Sequence, residues 1–222
     1  MAQAGYPTMT YKTRFKYLFD KATDIAHAAH ALNPTAPHLP PLFFVSDPQR
    51  TPHPEDIATL LPQGCGIIYR HFGERHAPQR AHLLRRIATD HGLILLIGED
   101  HELALDVGAD GVHLRELSLS RAARLHADYP QLTLTLACHD PVAAGNIPAE
   151  AGLSAIFASP VFPSASPSAA GKTPLGIKGV QNFTDATSLP VYGLGGITCD
   201  NIGSLHDSGL SGVAAVDAFR VD

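Results

Sequence analysis

Hydrophobic residues follow two different spacings along this chain. From Tyr11 to Leu32, apolar side chains recur every three or four residues, which is the spacing of an amphipathic helix. A proline-rich stretch at residues 33–41 ends that pattern, because proline neither continues a helix nor suits a central strand. Beyond it, eight apolar runs predict strands at residues 42–47, 66–72, 93–99, 111–114, 132–139, 155–162, 190–196 and 212–219.

Segments of helical character separate these predicted strands. The clearest are residues 77–91 and 119–127, and weaker ones cover residues 54–61, 177–187 and 200–207. Strands that alternate with helices imply right-handed βαβ units and a parallel sheet. An open doubly wound sheet is the alternative. Eight units between residues 42 and 219, without a Rossmann glycine fingerprint, favour a closed (β/α)8 TIM barrel of the α/β class.

The last predicted strand is followed by too few residues for an eighth outer helix. We therefore expect the N-terminal helix, Tyr11–Leu32, to fill that place, because strands one and eight are neighbours in a closed barrel. The predicted domain organisation is a helix and proline-rich linker, residues 1–41, packed on a barrel domain, residues 42–222.

Composition and charge narrow the classes of function. Of 222 residues, 45% are hydrophobic and 17% are charged, which suits a folded domain with one core. The net charge of -5 disfavours a nucleic-acid partner, since general phosphate-backbone binders need a basic surface.

Cysteine usage and hydropathy indicate a cytoplasmic protein. Three widely spaced cysteines without a CxxC pair suggest neither a disulfide framework nor a zinc site. No basic segment with an apolar run opens the chain, and no run approaches the roughly 20 apolar residues of a membrane span. We expect no membrane partner. The oligomeric state stays open, and a homodimer is common for barrels.

The turn after the seventh predicted strand has the character of an anion site. Gly195 and Gly196 let the backbone approach a ligand and present N–H groups to it. Barrels commonly hold phosphate between the ends of strands seven and eight. The alternative is that both glycines serve only a tight turn between a strand and a helix.

Three stretches together resemble a known family. They are Gly-Ala-Asp-Gly-Val-His-Leu at residues 108–114, Ser-Pro-Val-Phe-Pro at 159–163, and Gly-Leu-Gly-Gly-Ile-Thr-Cys-Asp-Asn at 193–201. In order and spacing they resemble the thiamine phosphate synthase and thiazole tautomerase (TenI) superfamily. The resemblance implies a small phosphorylated thiazole ligand, with its phosphate at Gly195 and Gly196 and with Ser159 among the binding residues.

The end of the eighth predicted strand departs from the family pattern. A small hydroxyl residue is expected there to help to hold the phosphate, but this chain has Asp217. A carboxylate beside a phosphate is repulsive unless it points away or is itself paired.

The resemblance to synthases also implies a second part of the site, which holds pyrophosphate while it departs from the pyrimidine. The family's second strand ends in glutamine, arginine and lysine at alternate positions, where this chain has Ile68, Arg70 and Phe72. Arg70 therefore matches the family. Arg115, at the end of the fourth predicted strand, is a second candidate to bind a carboxylate or a phosphate.

A synthase of this family would use magnesium, which prefers carboxylate and water ligands. The family's asparagine and aspartate after strand three correspond to Gly98 and Glu99, and its second metal carboxylate corresponds to Ser118. Glu99 is thus the candidate metal ligand. Asp100 and Glu116 lie nearby in sequence and could rebuild a site.

The tautomerase branch implies no cofactor, since it needs a phosphate anchor and a group that moves a proton. Its histidine at the end of strand five corresponds to His139. An ordinary pKa of about 6.5 suits histidine to donate and accept protons near neutrality. His113, by contrast, is as consistent with a buried, hydrogen-bonded histidine as with a ligand contact.

The loop after the sixth predicted strand, residues 163–173, is small and polar and predicts a lid over the barrel mouth. The family's corresponding loop contacts pyrophosphate through threonines and a lysine. The candidates here are Ser164, Ser166 and Lys172.

Three functions therefore stay open. The first is a thiamine biosynthesis or salvage protein that binds a thiazole phosphate, with tautomerase-like proton transfer by His139. The second is a thiamine phosphate synthase that joins a pyrimidine diphosphate to the thiazole phosphate. The third is a barrel that binds a phosphorylated ligand without catalysis, because fold alone does not establish chemistry.

Overall fold

Eight parallel strands close into one barrel in the computed structural model, which describes residues 9–32 and 39–221. Each strand pairs with the next along the chain, and β1 pairs with β8 through Phe43 and Ala214. The predicted TIM barrel is therefore confirmed. The strands are β1 Leu42–Val45, β2 Gly66–Tyr69, β3 Ile94–Gly98, β4 Gly111–Leu114, β5 Thr133–Cys138, β6 Ala155–Ala158, β7 Val191–Leu194 and β8 Gly212–Ala215.

Seven α-helices are described around the strands: α1 Tyr11–Leu32, α2 Pro54–Ala58, α3 Ala77–His91, α4 His101–Val107, α5 Leu119–Asp128, α6 Pro141–Gly145 and α7 Gly176–Ala186. The helix predicted at residues 200–207 is instead a 3₁₀ turn, Ile202–Leu205. Most predicted strands were too long at their carboxyl ends, where the chain leaves the sheet to form the mouth of the barrel.

The N-terminal helix occupies the place of an eighth outer helix. α1 packs on β8, β1 and the turn at residues 202–205. Phe15, fully buried, meets Phe219 edge to face at 4.9 Å between ring centroids, and Phe219 meets Phe44 at 5.4 Å. Aromatic burial of this kind is a large source of stability. The division at residue 41 remains a prediction, because residues 1–8 and 33–38 of the predicted first unit lie outside the described residues.

The inside of the barrel is filled by side chains from alternate positions of the strands. Phe43, Phe157 and Tyr192 form its centre, with ring centroids 4.9 to 5.6 Å apart. His113 packs edge to face on Phe157 at 4.9 Å and donates to, or accepts from, Thr135 at 2.9 Å. This packed interior closes the barrel below the carboxyl ends of the strands, so the ligand-accessible space lies above it.

None of the described helices is both long enough and apolar enough to cross a membrane.

Candidate functional site at the barrel mouth

Two cavities open side by side at the carboxyl ends of the strands. The small cavity, about 180 Å³, lies between the ends of β6, β7 and β8 and the loop after β1. The large cavity, about 480 Å³, lies beside the ends of β2, β3 and β4. Arg70, at the end of β2, lines both of them. The arrangement provides two neighbouring binding spaces with one guanidinium between them.

The glycine turn after β7 forms one wall of the small cavity. Gly195 and Gly196 have φ angles of +101° and +67°, which side chains rarely adopt. A Cβ on Gly196 would lie 2.4 Å from the carbonyl oxygen of Pro163. Asn201 holds the turn from behind, since its side-chain amide donates to the Gly196 carbonyl at 2.8 Å. Among the described residues, the N–H groups of Gly196 and Ile197 have no acceptor, so they are available to an anion.

Opposite this turn, Asp217 is paired rather than exposed to the cavity as an isolated charge. Its Oδ2 atom accepts a hydrogen bond from Arg50 Nη1 at 3.0 Å. Arg50 also donates through Nη2 to Asp47 Oδ2 at 3.0 Å. The repulsion expected between Asp217 and a phosphate is therefore offset by a neighbouring cation.

Arg50 and Asp47 were missed at the sequence level. Both lie just after β1, and every loop that follows a barrel strand faces the mouth, so their position was the available signal. Burial alone would raise the pKa of Asp47, but hydrogen bonds from Arg50 and its charge outweigh burial and hold that pKa below its ordinary value. Asp47 is thus ionised and fixes the guanidinium beside it.

Arg70 is held by the loop after β1. Its Nε atom donates to the Ser46 carbonyl at 2.8 Å, and Nη2 lies 3.4 Å from Asp47 Oδ2. Burial lowers the pKa of Arg70 to about 10, with Asp47 opposing that change. The side chain still carries its positive charge at neutral pH, and its guanidinium carbon lies 5.4 Å from the centroid of the Phe72 ring at the rim.

Glu99 belongs to the large cavity, but its carboxylate already has partners. It accepts hydrogen bonds from the backbone N–H of Arg115 and, at 2.8 Å, from Ser118 Oγ. Arg115 and Arg121 lie at 3.2 and 3.7 Å from Glu99 Oε2. Burial raises the pKa of Glu99, but these hydrogen bonds and charges outweigh it and lower the pKa overall.

The predicted metal site has no cluster of ligands in the described part of the chain. No three His, Cys, Asp or Glu side chains come together there in a way that could hold a metal ion. Asp100 instead caps α4 by accepting from the Leu103 N–H at 2.9 Å, and Glu116 accepts from the His139 N–H at 3.0 Å. The carboxylates that could have rebuilt a magnesium site therefore serve local structure.

His113 lies at the floor of the large cavity. Burial lowers its pKa to about 3, with a further lowering from the charge of Arg70. The imidazole is thus neutral at physiological pH, and one ring nitrogen is already bonded to Thr135.

His139 has a fixed ring that contacts Ser159, a residue of the small cavity wall, but His139 itself lines neither cavity. Its Nδ1 atom is 2.8 Å from the carbonyl oxygen of Ser159, which can only accept, so Nδ1 carries the proton. Cys138 is buried on the opposite side of the strand, as expected from alternation along β5. In the described structure His139 lines neither cavity, and its catalytic role remains a prediction.

The other predicted residues divide into two groups. Those that the structure brings to a cavity wall are Arg70, Ser159, Gly195, Gly196 and Asp217 at the small cavity, and Arg70, Glu99 and Arg115 at the large one. Lys172 is exposed on the loop after β6 and lines neither cavity, although Ser164 and Ser166 of that loop line the small one.

Comparison with known families agrees with this geometry. Residues 42–219 match the family model described as thiamine monophosphate synthase. The chain belongs to this family. The matched residues cover the whole barrel, including the glycine turn after β7 and the residues that line both cavities.

Individual members of the thiamine monophosphate synthase family are about one third identical to this chain. A thiamine-phosphate synthase from Vibrio parahaemolyticus is 32% identical over 80% of this chain and 89% of its own length. One from Gloeobacter violaceus is also 32% identical, over 76% of this chain but 50% of its own length. A bifunctional ThiM/ThiE protein from Symbiobacterium thermophilum is matched over 35% of its length. The chain thus spans half or less of these last two relatives.

Two solved structures illustrate that the barrel fold of this chain occurs in other proteins. Thiamine phosphate pyrophosphorylase from Pyrococcus furiosus superposes with a TM-score of 0.67 over 79% of this chain and 84% of its own, at 20% identity. The YdjI aldolase from Escherichia coli superposes with a TM-score of 0.56 at 14% identity, over 86% of this chain and 80% of its own. At these identities the likeness shows the barrel alone.

Proposed function

We propose that this barrel joins a phosphorylated thiazole to a phosphorylated pyrimidine, which is the reaction of a thiamine-phosphate synthase. The names of its relatives support this reaction class over isomerisation of a thiazole alone. The site supports the proposal as well, because a condensation needs two substrates held side by side and the mouth has two adjoining cavities.

The observation that carries the proposal is the pair of adjoining cavities with Arg70 between them. In our account the small cavity holds the thiazole phosphate, against the N–H groups of Gly196 and Ile197. The large cavity holds the pyrimidine and its diphosphate. Placing both reactants in contact supplies much of the rate of such a reaction, because it replaces a bimolecular encounter.

Charge at the large cavity suits a departing pyrophosphate. The new bond joins the thiazole nitrogen to the methylene carbon of the pyrimidine, while the bond from that carbon to the diphosphate oxygen breaks. The leaving group takes the electron pair and gains negative charge. Arg70, Arg115 and Arg121 line this cavity and can stabilise that charge, although Glu99 offsets part of it.

Magnesium is implied by the family but does not fit the residues present. The carboxylate of Glu99 is held by Arg115 and Ser118, and the described residues provide no cluster of metal ligands. We therefore assign no step to a resident metal. Calorimetric titration with magnesium alone is expected to show no stoichiometric binding. A single saturable binding site would show that the chain does hold a metal ion.

Proton transfer by His139 on a single thiazole substrate is less well supported. The fixed Nδ1 proton leaves Nε2 as an acceptor, which suits a base, but His139 lines neither cavity and contacts the small one only through Ser159. The tautomerase function therefore remains an alternative that the geometry does not favour.

The test is an assay of the purified chain with both substrates. We expect release of pyrophosphate and formation of thiamine phosphate only when pyrimidine diphosphate and thiazole phosphate are both present. Release of pyrophosphate in the absence of the thiazole phosphate would indicate hydrolysis of the pyrimidine diphosphate. Conversion of a thiazole carboxylate phosphate as the sole substrate would indicate a tautomerase. Either result would overturn the proposal. His139→Gln is expected to retain condensation, which separates the two chemistries further.

A further inference from the structure

Arg50 connects three separate parts of the small cavity. It follows β1 in the chain, and its guanidinium contacts Asp47 of the same loop and Asp217 after β8, each at 3.0 Å. A third contact, at 3.4 Å, reaches Ser166 in the loop after β6. The side chain is 15% exposed, so this cation is largely enclosed by the walls of the cavity.

The charges around Arg50 are balanced before any ligand enters. Two carboxylates, Asp47 and Asp217, face two guanidinium groups, Arg50 and Arg70. A phosphate ester brings up to two negative charges into this space. Backbone N–H groups from the glycine turn compensate part of that charge, and a guanidinium that can donate to the phosphate would compensate more.

Arg50 retains unused hydrogen-bonding capacity. Its Nε atom is buried and has no partner among the described residues. A guanidinium has five N–H donors, and Arg50 uses one on Nη1 and two on Nη2 in the contacts above, so one Nη1 donor remains as well. Because Arg50 lines the small cavity, a phosphate there that accepts from the remaining Nη1 donor would use this capacity.

We propose that Arg50 is a phosphate-binding residue of the small cavity and that Asp217 is a positioning residue that orients the Arg50 guanidinium. The inference rests on the proposed function in one respect, namely that a phosphate ester occupies this cavity. It explains why a carboxylate stands where the family has a hydroxyl residue. Asp217 acts on the phosphate through Arg50, and the pair replaces that hydroxyl.

The competing explanation is that Arg50 only ties the loops together. Both explanations place Arg50 in ion pairs, so stability alone does not separate them. Direct contact between phosphate and Arg50 does separate them, because a ligand that accepts from the guanidinium changes the environment of its protons, including the Nε–H proton. If Arg50 only holds the loops together, phosphate binding leaves the environment of that proton unchanged.

The first experiment titrates the full chain with inorganic phosphate and follows binding by ³¹P and ¹⁵N NMR. Arg50→Gln is expected to weaken phosphate binding by about tenfold or more, since a charge-assisted hydrogen bond is lost. Arg50→Lys is expected to recover part of the affinity, because it restores the charge without the planar donors. Unchanged affinity in Arg50→Gln would overturn the proposal.

Arg85→Gln is the matched control. Arg85 is 20% exposed and is paired with Asp110 at 2.7 Å, but it lies on α3 away from both cavities. The Arg85→Gln substitution removes a comparably buried ion pair, and its affinity for phosphate is expected to stay at the wild-type value. A loss equal to that of Arg50→Gln would show that any broken ion pair has the same effect, and would overturn the proposal.

A measurement on the wild-type chain covers the case in which Arg50→Gln does not fold. The Arg50 Nε–H resonance, assigned by its loss in Arg50→Lys, is expected to shift as phosphate saturates the amides of Gly196 and Ile197. If those amides shift while the Nε–H resonance stays fixed, Arg50 is not a ligand. Asp217→Asn should weaken phosphate binding although it removes a negative charge, and tighter binding would contradict its positioning role.

Failure of this inference is distinguishable from failure of the proposed function. If phosphate binds through Arg50 but the two substrates are not joined, the proposed reaction is wrong and the inference stands. If condensation proceeds in Arg50→Gln with the wild-type KM for the thiazole phosphate, the reaction stands and the inference is wrong.

Discussion

Two consecutive glycines decide the shape of one wall of the small cavity. Gly195 and Gly196 have positive φ angles, and Gly196 also lies too close to Pro163 for a side chain. The N–H groups that we propose to bind phosphate, those of Gly196 and Ile197, belong to the turn whose conformation these glycines allow. A change at Gly196 should therefore affect stability and phosphate binding together.

Gly196→Ala is expected to lower the free energy of unfolding by about 1–3 kcal/mol and to weaken phosphate binding, because the methyl group strains the turn. Urea unfolding and phosphate titration measure the two effects. The control is Gly203→Ala, since a Cβ on Gly203 would meet nothing within 4 Å. Equal behaviour of the two variants would show that the turn is not tightly constrained.

A second residue-scale consequence concerns pH. The pKa of His113 is lowered by burial to about 3, from an ordinary value of 6.5 in the unfolded chain. Above about pH 6.5 both states are neutral at this residue, so its burial does not oppose folding. As the pH falls towards 3, only the unfolded state takes up the proton, and stability is lost over that range.

His113→Gln is therefore expected to reduce the loss of stability on acidification. Between pH 7 and pH 5 the His113 contribution to that loss amounts to about 2 kcal/mol. Urea unfolding of the wild type and the variant at both pH values measures it, and the remaining histidines form a common background. If both proteins lost the same free energy of unfolding between pH 7 and pH 5, the pKa of His113 would not be lowered in the folded state.

Sequence reasoning found the glycine wall but not the charge network behind it. The positions of Gly195 and Gly196 after a predicted strand were sufficient to predict the turn, because its conformation follows from local backbone properties. Asp217 looked incompatible with phosphate because its partner, Arg50, is 167 residues away in the chain. Pairing at that separation depends on closure of the barrel, which single-sequence patterns do not specify at the level of side chains.

At the scale of elements, α1 completes the outer ring. Its apolar face, with Phe15, Leu18, Ala22 and Ile25 buried, covers β8 and β1. The helix was predictable in position and extent because its spacing is regular over 22 residues. α4 and α6 were not among the predicted helices; they have seven and five residues, and α2, equally short, was predicted only as a weak segment.

Phe15→Ala tests the contribution of α1 to the barrel. Loss of the contact with Phe219 should lower the free energy of unfolding by about 3–5 kcal/mol, the usual cost of removing a buried aromatic ring. Lys12→Ala, at an exposed position of the same helix, should change it by less than about 0.5 kcal/mol. Similar values for the two variants would mean that α1 is only loosely attached.

At the scale of the whole molecule, the mouth of the barrel has two adjoining cavities with different chemistry. The small cavity combines free backbone N–H groups with the paired Arg50 and Asp217. The large cavity has arginines and a neutral His113, but the carboxylates near it have local partners. The fold follows the family. From the sequence resemblance alone, we expect departures from the family at Asp217 and at the positions that would bind metal.

The most direct test of this account is a crystal structure of the chain with thiamine phosphate, the product of the proposed reaction. We predict the phosphate in the small cavity, within hydrogen-bonding distance of the Gly196 N–H and Arg50, and the pyrimidine ring in the large cavity beyond Arg70. A phosphate bound in the large cavity, or a pyrimidine ring outside it, would contradict the two-cavity account.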